Sequence, residues 1–220
     1  MIENFSWMED REDWRDYVKS LDNNDISNIL GSIPSAWNIA PKSHNEFVFW
    51  FLNKINPKVI VDLGVDFGYS SFFMALHSEA TVYGIDSFSV DKHNTRIEDD
   101  YQFVLDVKEK LNLKNLEVIK GYFDDVFKTW DKKIDLIHID GLHDYNNCKN
   151  DCETWSQALN DDGVIIFHDT ITHSNDVGLF FSQLEIPKVN FTNSCGLGVA
   201  SNNSELIEEI KEVFKPWVQT

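Results

Sequence analysis

Five short apolar runs punctuate the middle of the chain: VIVDLG (59 to 64), TVYGID (81 to 86), LEVIKG (116 to 121), IDLIHID (134 to 140) and GVIIFHD (163 to 169). Longer segments with helical patterning lie between them, near 69 to 78, 96 to 112 and 146 to 159. Strands that alternate with helices are joined by crossovers, which make neighbouring strands parallel and cover both faces of the sheet. A last pair of runs, 187 to 192 and 196 to 201, suits a hairpin closing one edge. The expected architecture is α/β: a doubly wound, mainly parallel seven-stranded sheet with helices on both faces.

Residues 1 to 55 follow a different pattern. Trp7, Trp14, Tyr17, Val18 and Leu21 recur at helical spacing, and Ser43 with Glu46 makes a capping box ahead of FVFWFL. Gly31, Pro34 and Pro41 break the stretch into pieces. It is expected to form an N-terminal helical lid or extension, with 56 to 220 as one compact domain.

A chain of 220 residues is long enough to bury a substantial core. Its 37 acidic residues outnumber 19 basic ones, a net charge of -18, which opposes a non-specific grip on nucleic acid or on an anionic membrane. A small molecule, or a cationic one, is the better partner. The N-terminus shows no basic stretch followed by an apolar one, and the run at 47 to 52 is far too short to span a bilayer. Three cysteines, Cys148, Cys152 and Cys195, form no even framework and no CxxC pair, which fits a reducing compartment. Cys148 and Cys152, four apart on a helix face, read as packing residues. The expectation is a soluble, cytoplasmic protein.

In open α/β sheets ligands bind beyond the carboxyl ends of the strands. Those ends carry Asp62 with Gly64, then Asp86, Gly121, Asp140, and His168 with Asp169. Any one aspartate is a common helix cap or turn former. Carboxylates at four of the five ends exceed what packing needs and point to a site.

The loop after the first run, VDLGVDFGYSS, is punctuated by Gly64 and Gly68 and runs into a helix, whose first amides are unpaired. A nucleotide P-loop needs a lysine after the last glycine, and none follows Gly68. A dinucleotide fingerprint has glycine where this chain has Asp66, whose charge sits badly against a pyrophosphate. S-adenosylmethionine carries no phosphate, and the stretch from Asp62 to Ser70 suits it better than either. Asp86, 24 residues after Asp62, ends the second run, where an acid accepts hydrogen bonds from ribose hydroxyls.

DLGVDFGYS resembles the first motif of class I S-adenosylmethionine-dependent methyltransferases, and its GYS ending is similar to catechol O-methyltransferase. IDLIHIDGLHDY, then a helix with Asp151 and Trp155, then DDGVIIFHDT, resembles more closely the family of macrocin and mycinamicin sugar O-methyltransferases and cephalosporin hydroxylase-type proteins. The resemblance covers about 56 to 201 and implies a Rossmann-like fold. It also implies that Gly64 and Gly68 pass beneath the methionyl end while Tyr69 and Ser70 meet its carboxylate. Asp86 would hold the ribose, with Ser87 and Phe88 along the adenine, although Phe88 equally suits the core. Gly121 and Asp124 would border the adenine, or Asp124 would simply start a helix.

In that family a divalent cation is held by an acid after strand four and an acidic pair after strand five. Asp140 matches the first position and Asp169 the last, but His168 stands where the sugar methyltransferases have a carboxylate. Imidazole favours manganese, zinc or iron relative to magnesium. His143 matches the general base, and His138, inside a strand, reads as a buried hydrogen-bonded residue. The implied reaction is metal-assisted O-methylation of a small-molecule hydroxyl, on a sugar or glycan precursor among others. The alternatives are a metal-dependent oxygenase or hydrolase built on His143, His168, Asp140 and Asp169, and a non-catalytic cofactor-binding module. Acceptor choice is expected to fall to the first 55 residues and to 171 to 186, as lids. Exposed aromatics on a detached N-terminal helix would suit a homodimer contact.

Overall fold

The computed structural model describes residues 11 to 38, 44 to 89 and 100 to 219. The elements run α1 (Arg11–Ser20), α2 (Ile26–Gly31), α3 (His44–Ile55), β1 (Val59–Leu63), α4 (Tyr69–Leu76), β2 (Thr81–Asp86), α5 (Asp100–Lys110) and β3 (Leu116–Lys120). They continue α6 (Phe123–Phe127), β4 (Ile134–Ile139), α7 (Tyr145–Trp155), β5 (Leu159–His168), α8 (Val177–Gln183), β6 (Lys188–Phe191), β7 (Leu197–Ser201), α9 (Ser204–Val213) and β8 (Val218–Gln219). The sheet order is β3-β2-β1-β4-β5-β7-β6-β8. β1 to β5 are mutually parallel, β7 runs antiparallel between β5 and β6, and the two-residue β8 pairs antiparallel with β6. The seven strands expected from the sequence form a Rossmann-like sheet, and β8 adds a short eighth at the edge.

Side chains alternate between two apolar layers because successive residues of a strand point to opposite faces. Ile60, Val82, Leu136, Val164 and Ile166 enter the layer that holds α3, α4, α5 and α9. Val61, Leu63, Ile137, Ile139, Ile165 and Phe167 enter the other, with α7 and α8. The same alternation puts Asp62, His138 and His168 on the face of the first layer, where the sequence alone shows only apolar runs with polar interruptions.

The N-terminal region does not stand apart. Val18 of α1, Ile29 and Leu30 of α2, Trp37, and Phe47, Val48, Phe51 and Leu52 of α3 belong to the same buried cluster as the sheet residues of the first layer. Arg15 and Asp100, 5% and 1% exposed, form an ion pair joining α1 to α5. Val18 of α1 is buried in this cluster, whereas Tyr17 on the same helix is exposed. Trp7, Ser43 and Pro41 lie outside the described residues.

Three further elements depart from the expected pattern. The helix expected to 159 ends at Trp155 and gives way to a 3-10 turn at Ser156–Ala158. β5 begins four residues earlier than its apolar run, with a register irregularity between Ile134 and Leu136; Asp135 spans it, accepting from Asn160 Nδ2 and from the amides of Lys58 and Val59. The segment 171 to 186 is not wholly a lid, because Val177, Phe180 and Phe181 of α8 are buried in the second layer. No helix among the described residues is long and apolar enough to cross a membrane.

Cys148 and Cys152 are buried under α7, and burial pushes their thiols up to about 12 and about 11, as inert packing residues require. Asp151, on the same helix and 6% exposed, lies with Oδ2 against Gly141. Burial, with the charges of Asp124 and Asp144 behind it, pushes its carboxyl up to about 7. The fold therefore favours the protonated form: the contribution is full below the ordinary carboxylate value of about 4, and falls away as pH rises to about 7. Asp151→Asn should raise the melting temperature by several degrees at about pH 8 and change it little at about pH 4. Equal shifts at both pH values in thermal melts would show that the carboxyl is not held protonated.

Candidate active site

Asp140 follows β4, His168 ends β5 and Asp169 follows it, so the parallel pairing of those strands brings the three together. Asp140 N donates to Leu63 O at 2.8 Å, which fixes the turn beside β1. From there Asp140 Oδ1 reaches His143 Nε2 at 3.1 Å and His168 Nδ1 at 3.4 Å. Asp169 faces the same rings with different oxygens: Oδ1 is 3.4 Å from His168 Nδ1, and Oδ2 is 3.0 Å from His143 Nε2. Asp169 holds φ at +62°, a left-handed conformation uncommon for residues other than glycine, and one that Asp and Asn tolerate best. The other side of the His143 ring stacks on His173, 4.5 Å between centroids at 19°.

The charges reinforce one another. Burial alone would raise the Asp140 carboxyl, but the facing His168 and the His143 hydrogen bond hold it well below the usual carboxylate range. Burial alone would likewise lower His168, but Asp140 and Asp169 carry it well above the ordinary histidine value. His143 is raised too, since its bond to Asp140 and both carboxylate charges outweigh burial. His44, packed edge-on against His168 at 5.6 Å, is pushed down to about 4 by burial, with His168 adding to the effect, and stays neutral.

His168 is 4% exposed, and neither ring nitrogen has a hydrogen bond. Its 3.4 Å contacts to the two carboxylates are ionic and poorly aligned for hydrogen bonding. A buried donor nitrogen without a partner demands a reason. Asp140, His168 and Asp169 each place one ligand atom within 4.8 Å of the others, and that set of two oxygens and one nitrogen fits a divalent cation.

A cavity of about 270 Å³ opens beside this cluster, bounded by 34 to 37, by most of the loop from Gly64 to Ser70, and by Asp140, His168 and Asp169. Gly64 lines it, and Gly64 and Gly68 both hold positive φ. A Cβ on Gly64 would stand 2.0 Å from the Asp140 carbonyl oxygen, and one on Gly68 would stand 2.4 Å from the Phe72 ring. The protein's own packing forces both glycines. Tyr69 and Ser70 line the cavity at the start of α4, Tyr69 accepting a 2.7 Å hydrogen bond from Asn45.

The other expected contacts are placed differently. Asp62 is completely buried; it accepts from Ser70 Oγ and Ser71 Oγ on Oδ2, and Oδ1 lies 2.7 Å from His138 Nδ1. It acts on the loop, tying α4 to β4, and has no surface to offer a ligand. His138 is the buried, bonded residue expected. Asp86, 5% exposed, clamps the glycine loop by accepting from Val65 N and Asp66 N, and holds Phe88 N with its other oxygen. A ribose would share that carboxylate with the amides. Ser87 bonds Ser89, and Phe88 is a core residue 5.0 Å from the Tyr101 ring. Gly121 donates its amide to Asp86 O, while Asp124, exposed on the first turn of α6, accepts from Asn150. Sequence reasoning missed His173, because no periodicity links it to His143 across two loops.

Among curated proteins the chain is similar to the uncharacterized protein y4gI of Sinorhizobium fredii, 27% identical over 84% of this chain and 21% of that protein. The chain thus spans about a fifth of the length of that relative. Among solved structures it is similar to a Staphylococcus aureus protein assigned as a caffeoyl-CoA O-methyltransferase, with TM-score 0.62, 18% identity, and coverage of 85% of this chain and 98% of that one. It is also similar to the O-methyltransferase from Bacillus cereus in complex with SAH, with TM-score 0.60, 17% identity, and coverage of 86% and 99%. At those identities the likeness speaks for the fold. A family model described as a methyltransferase domain matches residues 61 to 170, half of the chain, from β1 through the cluster after β5. The chain belongs to this methyltransferase-domain family.

Proposed function

We propose that the protein is an S-adenosylmethionine-dependent O-methyltransferase that methylates a small-molecule hydroxyl with help from a divalent cation. The observation that carries this reading is that Asp140, His168 and Asp169 line the cavity beside the Gly64 to Ser70 loop while His143 contacts both carboxylates. The donor S-adenosylmethionine supplies an electrophilic methyl on a sulfonium, which an acceptor oxygen displaces to leave S-adenosylhomocysteine. Asp140, His168 and Asp169 would hold the cation, which when bound supplies Lewis acidity to the acceptor hydroxyl. The start of α4 offers backbone amides to the donor's carboxylate.

His143 takes the acceptor's proton. Its ring sits between Asp140 and Asp169 and is 36% exposed on its side chain, so it can reach both a bound acceptor and water. The carboxylates orient the ring and stabilise the imidazolium that results, as a base's partners must. Trp37, 2% exposed and edge-on to His138 at 5.0 Å, borders the cavity with 34 to 36 and gives the acceptor an apolar wall.

The test is methyl transfer from labelled S-adenosylmethionine to a panel of sugar and phenolic hydroxyls, with and without chelator. Transfer that falls in chelator and returns with added manganese or magnesium is expected. Transfer that proceeds equally in chelator would remove the cation, and transfer only to nitrogen acceptors would remove the O-methyl reading.

A further inference from the structure

Asp169 points its two oxygens at two different clusters. Oδ1 faces His168 and the cation site described above; Oδ2 faces His143, and a ligand atom of His173 lies within 4.8 Å of both His143 and Asp169. We propose that His143, Asp169 and His173 form a second cation site that takes a transition-metal ion of the zinc class and, when filled, withholds His143 from the acceptor. The inference goes beyond the methyl-transfer reading, since metal binding at this site needs neither donor nor acceptor.

The donor set decides which ion fits. Two imidazoles and one carboxylate are softer than the two carboxylates and one imidazole next door, so zinc is preferred here over magnesium by a wider margin. A tetrahedral zinc at about 2.0 to 2.1 Å from each ligand needs donor atoms about 3.3 to 3.4 Å apart. His143 Nε2 and Asp169 Oδ2 are already 3.0 Å apart, and the His173 ligand atom, within 4.8 Å of both, closes on them by small ring rotations, which partly exposed imidazoles can make. Three protein ligands also leave a fourth position open to water.

The cluster is held in shape by its backbone. His173 N donates to Asp169 O at 2.9 Å, and Gly178 N donates to His173 O at 3.0 Å, so the turn that carries His173 is anchored on both sides. The nearly parallel stacking of His143 and His173 keeps the two rings side by side at the rim. Since a metal takes the lone pair of an imidazole nitrogen, a filled site would leave His143 unable to accept the acceptor's proton through that atom. Zinc should then inhibit by removing the base.

Isothermal titration of zinc chloride into the full chain, without methyl donor, tests the site. The comparison is Asp140→Asn, which disables the neighbouring cation site, against Asp140→Asn combined with His173→Ala. Zinc binding should persist in the first and weaken on the order of 10- to 100-fold or more in the second. His173→Gln in place of alanine should give the same loss while keeping a polar side chain, which separates loss of a ligand from loss of folding. In turnover assays His173→Ala alone should keep basal transfer and lose zinc inhibition. Identical zinc titrations with and without His173, or no zinc uptake by the wild-type chain, would overturn the proposal.

Discussion

Asp169→Asn should leave the fold in place and reduce methyl transfer on the order of 100-fold or more, because charge stabilisation at a cation site is worth several kcal/mol. Asparagine is the informative replacement. It keeps the shape of aspartate and tolerates the left-handed φ of +62° that this position requires. What it loses is the negative charge that faces His168 with one oxygen and His143 with the other. Circular dichroism and the melting temperature should stay close to wild type, while kcat falls. A variant that keeps its kcat, or one that loses activity only by unfolding, would show that Asp169 is a turn former whose charge does no chemistry.

Gly64→Ala should fail at the level of the fold. The added Cβ would stand 2.0 Å from the backbone oxygen of Asp140, at a φ of +104° that disfavours any side chain. Neither obstacle is the end of a flexible side chain, so β1 and β4 must move apart or the loop must rebuild. Losses on the order of 4 kcal/mol or more are the expected range for such backbone conflicts, or about 10 °C in melting temperature for a chain of this size. Gly31→Ala is the control, since a Cβ there meets nothing within 4 Å. The expected result is a large fall for Gly64→Ala beside an unchanged or slightly raised melting temperature for Gly31→Ala. Equal melts would mean that the turn between β1 and α4 relaxes freely.

The two predictions touch the same few atoms. The Asp140 carbonyl packs against Gly64 while its carboxylate faces His143 and His168. The loop expected to cradle the methyl donor and the cluster expected to work on the acceptor are therefore one rigid unit, built where β1 and β4 lie side by side.

How much of this the sequence discloses varies by residue. β1 to β4 and the closing hairpin are legible because buried parallel strands are nearly continuous apolar runs, and the residue that ends each run marks a strand end. Asp140, His168 and Asp169 are legible for the same reason, while His143 is singled out only by the family resemblance. Asp62 looks like a member of that set, yet it points into the first layer and is spent on Ser70, Ser71 and His138. Whether a strand-end carboxylate faces a ligand or a core depends on the register, which a run of letters does not carry. His173 was illegible because its neighbour across space, His143, sits on a different loop. The helix α9 was missed although its signal was present: Asn203 caps it, and Leu206, Ile207 and Ile210 make a buried stripe. The early start of β5 arises from polar residues, Asn160 to Asp162, that no hydrophobic pattern marks as strand.

Titration of S-adenosylhomocysteine into the purified chain, followed by calorimetry, tests the central claim most directly. The cavity bounded by most of the Gly64 to Ser70 loop should bind it with a dissociation constant on the order of micromolar, about -8 kcal/mol. No heat from a folded wild-type chain at concentrations up to about 1 mM, where a ligand worth only about -4 kcal/mol would still register, would contradict it.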